Sequence, residues 1–151
     1  NQPTQTVIAG TAKAVALACE KAKAAGAGRT VPLPVSAPFH CPLMQPAALR
    51  LGEKLREISF SDPMPPVVTN VEAVPNASAA RIAGLLEAQV TAPVRFVELV
   101  EKLAAVGVTK VLEVGPGRVL GGLVARIDRS LERASVGSLE ELDAAVEFLR
   151  N

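Results

Sequence analysis

His40 is the one histidine in the 151-residue chain. Imidazole is the side chain whose unperturbed titration falls near neutrality, so it can take a proton and give it back within one reaction cycle. It stands in Ser36-Ala37-Pro38-Phe39-His40-Cys41-Pro42, with a proline on either side. The spacing of apolar residues puts this segment between a predicted strand end and a helix start, where open α/β sheets bind ligands. Pro38 and Pro42 restrict the backbone, and Phe39 brings an apolar neighbour, as a positioned base requires. A single histidine in a globular chain is also commonly structural or solvated, and on its residues alone this one fits either role.

A base needs a nucleophile to activate. The elbow G-x-S-x-G, which places serine on a tight strand-to-helix turn, does not occur. Ser36 lies four residues before His40, but the intervening prolines argue against a helical pairing. Cys41 is adjacent, and neighbouring side chains in an extended loop point apart. A second candidate is Gly115-Pro116-Gly117, a glycine turn that could cradle phosphate at a helix N-terminus. The dinucleotide fingerprint G-x-G-x-x-G fails there, because Leu120 stands where the third glycine belongs. A tight turn with close helix packing, helped by Gly121 and Gly122, explains the motif better.

Composition narrows the partners. Sixteen Lys+Arg oppose 15 Asp+Glu, for a net charge of +1, which gives no broad basic field for nucleic acid. Four Phe with no Tyr or Trp offer few platforms for base stacking. A hydrophobic content of 49% with 21% charged residues excludes intrinsic disorder and can fill a core at this length. No apolar run reaches the roughly 18 residues of a membrane span. The chain does not start with Met, and Asn1-Gln2-Pro3-Thr4-Gln5 lacks the pattern of a signal peptide; a piece of a longer polypeptide is expected. Cys19 and Cys41 are too few for a zinc site or a disulfide framework, and read as reduced thiols of a cytoplasmic protein, with Cys19 buried in a helix.

The elements that must position these residues follow from periodicity. Thr6–Ala9 reads as a short strand, followed by a helix over 12–25 that buries Val15, Cys19 and Ala22 and ends at Gly26. Arg29–Val35 reads as a second strand, pushed to an edge by Pro32 and Pro34. A helix over 43–58 carries Leu43, Ala47, Leu51, Leu55 and Ile58 on one face, with Pro46 in its first turn. Val67–Asn70 is a short strand. Asn76 to Ser78 cap a helix over 79–89 with Ile82, Leu85 and Leu86 inward. The next helix, opened by Pro93, buries Phe96, Val100 and Leu103 and closes at Gly107. Lys110–Val114 is a buried strand. A helix with Leu120, Leu123 and Ile127 on one side follows it, then a small strand over 134–136. Ser138 and Glu141 form a capping box for a last helix with Leu142, Val146 and Leu149 inward. Strands alternating with helices define an α/β protein with mostly parallel pairing, and so few strands predict that others are supplied from the N-terminal side.

Four stretches together resemble the malonyl-CoA:acyl carrier protein transacylases of fatty acid synthesis and the related acyltransferase domains of polyketide synthases. They are Gln5–Gly10, the VPLPVSAPFHCPLM run from Val31 to Met44, Pro66–Val71, and Glu113–Leu120. The resemblance covers nearly the whole chain and matches the family's C-terminal half. It implies an α/β-hydrolase-like core carrying a ferredoxin-like insert. Residues 1–35 would end that small subdomain, and residues 36–151 would be the C-terminal part of the large acyltransferase subdomain. It implies a Ser–His ping-pong transfer of malonyl from CoA to the phosphopantetheine thiol of acyl carrier protein. There His40 is the catalytic base, the main-chain carbonyl of Gln89 orients it, and Phe39 crowds an α-methyl branch on the substrate. Neither cofactor nor metal is implied, since the CoA thioester is itself a substrate. The family's serine elbow, its oxyanion-hole glutamine and its malonyl-pairing arginine have no counterpart in the chain and would come from an N-terminal half, so the chain alone is expected to be inactive. The alternative is a non-catalytic module of the same fold that binds or scaffolds acidic carrier protein through Arg118, Arg126 and Arg129. A nucleotide-binding module at the Gly115 turn has the weakest support.

Overall fold

The computed structural model describes residues 1–150 as two compact units. One contains residues 1–6, 68–75 and the chain from Arg95 onward; the other contains residues 7–67 and 76–94. Two-residue strands, β1 (Val67–Val68) and β2 (Pro75–Asn76), pair where the chain changes unit.

In the first unit, α4 (Phe96–Ala105) precedes β3 (Lys110–Val114), and α5 (Val119–Ile127) connects β3 to β4 (Glu132–Val136). The strands are parallel, with Lys110 opposite Glu132 and Val114 opposite Val136. A parallel pair needs a crossover, and α5 supplies it. Val100, Val124 and Leu131 form the buried centre, with Phe96, Leu99, Ala104, Val111 and Ile127 packed around them. The last helix, α6 (Leu142–Arg150), packs against β4 and buries Ala145.

In the second unit, α1 (Ala12–Ala24) starts at Thr11, whose hydroxyl accepts the Ala14 N–H at 3.2 Å. A 3-10 turn (Pro42–Met44) leads into α2 (Gln45–Leu55), which packs on α3 (Ala79–Thr91). The α2–α3 contact uses small residues. Ala48, Gly52 and Leu55 are buried, and a Cβ on Gly52 would fall 2.2 Å from a Glu87 carboxylate oxygen. Ser78 makes no side-chain cap on α3; Asp62 reaches over instead and accepts the Ala79 N–H at 2.7 Å.

Several expectations are overturned. Thr6–Ala9 and Arg29–Val35 are not strands. A strand needs a partner for its backbone groups, and prolines 32 and 34 remove two donors from the second segment. The face that α2 buries is rotated from the one carrying the larger side chains: Leu43, Leu51 and Ile58 are exposed, and only Leu55 of the expected set is buried. Leu142, Val146 and Leu149 of α6 and Leu86 of α3 are likewise exposed. Cys41 is the buried thiol, whereas Cys19 is half-buried. The Ser138–Glu141 box is not reciprocal, because Glu141 takes the Gly137 N–H at 2.7 Å.

Val100 is only 1% exposed and sits at the centre of its cluster, while Leu139 is 86% exposed. Val100→Ala should lower the unfolding free energy by about 2 kcal/mol. Leu139→Ala should change it by less than about 0.5 kcal/mol. Denaturant midpoints at unchanged slope measure both.

Candidate active site

The candidate site lies in the second unit. The loop before α2 is held by its own short bonds: the Cys41 thiol donates to the Pro38 carbonyl at 3.1 Å, and the Cys41 carbonyl accepts the Met44 N–H at 3.0 Å. Between these anchors His40 adopts φ +60°. That is the left-handed region, which costs a residue with a Cβ about 1–2 kcal/mol. Such a conformation persists only where its surroundings enforce it.

The His40 ring is fixed by a residue 49 positions away, with Nδ1 2.9 Å from the main-chain oxygen of Gln89. A carbonyl only accepts, so Nδ1 carries a proton, and the lone pair of the neutral ring is on Nε2. Gln89 lies in the last turn of α3, where carbonyls lose their intrahelical partners. The sequence shows why no i+4 amide reaches this carbonyl. Its N–H partner would come from residue 93, which is proline and has none. Ala92, extended at ψ 151°, takes the conformation favoured before proline, and its N–H returns to Ala88 at 2.9 Å. A helix-ending proline four residues after Gln89 was thus a readable signal.

The imidazole is exposed, and Phe39 beside it is 50% exposed. The buried Cys41 thiol turns to Pro38 rather than to the ring. The result is an oriented imidazole on an exposed residue. Among the described residues, no group of three or more His, Cys, Asp or Glu gathers as a metal site, and no helix is long and apolar enough to cross a membrane.

The glycine turn lies in the other unit. Gly115 and Gly117 have φ +126° and +103°, so the turn needs glycine at both places. The amides at the start of α5 are already engaged. The Glu113 carboxylate, one residue before the end of β3, accepts the Leu120 N–H at 3.0 Å and the Gly121 N–H at 2.8 Å. An internal carboxylate therefore occupies the position a phosphate would take, which removes the nucleotide reading. Gly121 admits it closely, since a Cβ there would lie 3.3 Å from the Glu113 oxygen. Arg118, a candidate carrier-binding cation, pairs with Glu141 at 2.9 Å.

The fold is that of the α/β acyltransferases. It matches the crystal structure of an acyl-carrier-protein S-malonyltransferase from Bartonella henselae with a TM-score of 0.87 at 44% identity, over 93% of this chain and 45% of that one. It also matches a malonyl-transacylase solved in complex with a type II PKS acyl-carrier protein, with a TM-score of 0.85 at 44% identity, over 93% of this chain and 45% of the other. In sequence it is 46% identical over 150 residues to the malonyl CoA-acyl carrier protein transacylase of Bacillus subtilis (strain 168), covering 99% of this chain and 47% of the relative. The Salmonella typhimurium enzyme of the same name is 47% identical over 146 residues, again covering 47% of the relative. No family model matches the chain. The chain is a homologue of the malonyl CoA-acyl carrier protein transacylases, and it spans about half the length of the curated relatives it matches.

Hydrogen bonds from the Gly121, Leu120 and Val119 amides lower the Glu113 pKa below its ordinary value of 4.5. Folding therefore favours the ionised form. Its stabilisation is fully present above pH 4.5 and disappears as pH falls through the lowered folded value. Glu113→Gln should lower the melting temperature at neutral pH. The gap from wild type should narrow as pH falls below that window, which thermal melts across the acid range measure.

Proposed function

We propose that this chain is the C-terminal portion of an acyltransferase that moves a malonyl group from CoA to the phosphopantetheine thiol of acyl carrier protein. Its nucleophilic serine would be provided by an N-terminal half. The observation that carries the reading is the bond from His40 Nδ1 to the Gln89 carbonyl, which leaves Nε2 basic on an exposed ring. The homology to transacylases supplies the reaction class.

The chemistry follows from that orientation. Nε2 takes the serine proton as the hydroxyl oxygen attacks the malonyl thioester. The imidazolium so formed is stabilised by its Nδ1–H bond to the Gln89 carbonyl, a neutral counterpart of the carboxylate that orients histidine in Ser-His-Asp enzymes. It then protonates the departing CoA thiolate. In the second half-reaction the same nitrogen takes the proton of the carrier thiol and returns it to the serine oxygen. No cofactor is required, because the thioester is already activated.

In the same reading, residues 1–35 end a small ferredoxin-like subdomain and residues 36–151 belong to a large α/β-hydrolase-like subdomain of a cytoplasmic enzyme. Phe39 lines the acyl site and disfavours an α-methyl branch. One methyl carries about 1–3 kcal/mol of discrimination.

The tests use malonyl transfer to carrier protein. The 151-residue chain alone should show none, and joining it to a transacylase N-terminal half should give turnover. In the joined enzyme His40→Ala should lower kcat by about 10²- to 10⁴-fold with the fold intact by circular dichroism. Activity retained by that variant would make His40 structural. Phe39→Ala should reduce the preference for malonyl over methylmalonyl by about 10- to 200-fold in kcat/KM.

A further inference from the structure

We infer that Cys41 is a positioning residue for His40, its thiol closing a clamp on the Pro38 carbonyl that holds the histidine backbone in the left-handed conformation from which the ring meets the Gln89 carbonyl. This rests on the acyltransferase reading above and adds a residue to it. Cys41 is 7% exposed, its backbone is extended at φ −144°, and its Sγ–Pro38 oxygen distance is 3.1 Å. The ring so closed spans Pro38, Phe39, His40 and Cys41, and therefore encloses His40 at φ +60°. The Cys41 carbonyl also begins the 3-10 turn through Met44, so the C-terminal side of the loop is anchored to the start of α2.

Two fixed points thus define the imidazole: the thiol clamp on the loop backbone and the Gln89 carbonyl on Nδ1. Without the first, the backbone of His40 is free to relax to negative φ, which swings the side chain away from the carbonyl. The loss is of orientation, not of substrate contact, so it belongs in kcat rather than KM. The essential property of Cys41 is a small buried donor. Serine keeps that property, and valine keeps the volume without it.

The experiment uses the complete enzyme with isotope-labelled histidine, comparing wild type, Cys41→Val and Cys41→Ser. Cys41→Val should lower kcat by about tenfold with KM little changed. It should also turn the single Nδ1–H tautomer expected in the wild-type nitrogen NMR spectrum into a mixture. Cys41→Ser should restore both readouts. A Cys41→Val enzyme with wild-type kcat and tautomer overturns the inference, as does a Cys41→Ser enzyme as impaired as the valine variant. A lowered melting temperature with an unchanged tautomer in the folded protein overturns it too, because that is a packing role alone. If the wild-type enzyme transfers no malonyl group, the acyltransferase reading fails, while the tautomer comparison still decides the clamp.

Discussion

A carbonyl oxygen in the last turn of α3 takes a hydrogen bond from an imidazole rather than from its own helix, and the candidate site depends on that substitution. Pro93 provides no N–H to Gln89, so the carbonyl accepts from another source, and His40 Nδ1 lies 2.9 Å away. This bond selects the Nδ1–H tautomer and aims the ring. Both partners lie in one compact unit, whose helices α2 and α3 approach through Ala48 and Gly52. Small residues at that contact allow the loop preceding α2 to come within reach of the end of α3. A Cβ at Gly52 would meet the Glu87 carboxylate, which would have to shift.

The other unit meets a different constraint, the unpaired amides at the start of α5. Glu113 answers it from within the chain, and the sharp Gly115-Pro116-Gly117 turn lets the strand carboxylate fold back onto the helix that follows. The same turn is tied to the β4 end, where Gly115 donates to Val136 at 2.9 Å and Arg118 pairs with the Glu141 carboxylate that also holds Gly137. A Cβ on Gly137 would sit 3.2 Å from the Gly115 carbonyl, so the two turns cross at backbone distance. The Gly-Pro-Gly motif is thus a device for closing a parallel strand–helix–strand unit.

Large apolar side chains remain exposed on both units. Val114, Val119 and Leu139 belong to one, and Val31, Leu33 and Val35 to the other. A two-stranded parallel sheet has little surface with which to cover such residues, and parallel sheets are ordinarily enclosed on both faces. That exposure fits the proposal that this chain works joined to another half, as does its span of about half of each relative's length.

Local patterns in the sequence determined much of this protein. Helical spacing placed the six helices found among the described residues, and the run Lys110–Val114 and its glycine turn placed β3. Prolines around His40 marked the loop, and the helix ending near Gln89 marked where its carbonyl would lie. These are legible because the deciding interactions lie within a few residues of one another. Tertiary structure decided the rest. Thr6–Ala9 and Arg29–Val35 have strand-like residues but no strand, since pairing depends on a distant partner. The buried face of α2 is set by close approach to α3, which prefers Ala48 and Gly52 over the leucines that periodicity favoured. Whether the start of α5 would hold a phosphate or Glu113 was settled by a side chain folding back across a turn. The orientation of the His40 ring was settled by a carbonyl 49 residues away, a separation over which periodicity and propensity carry no information.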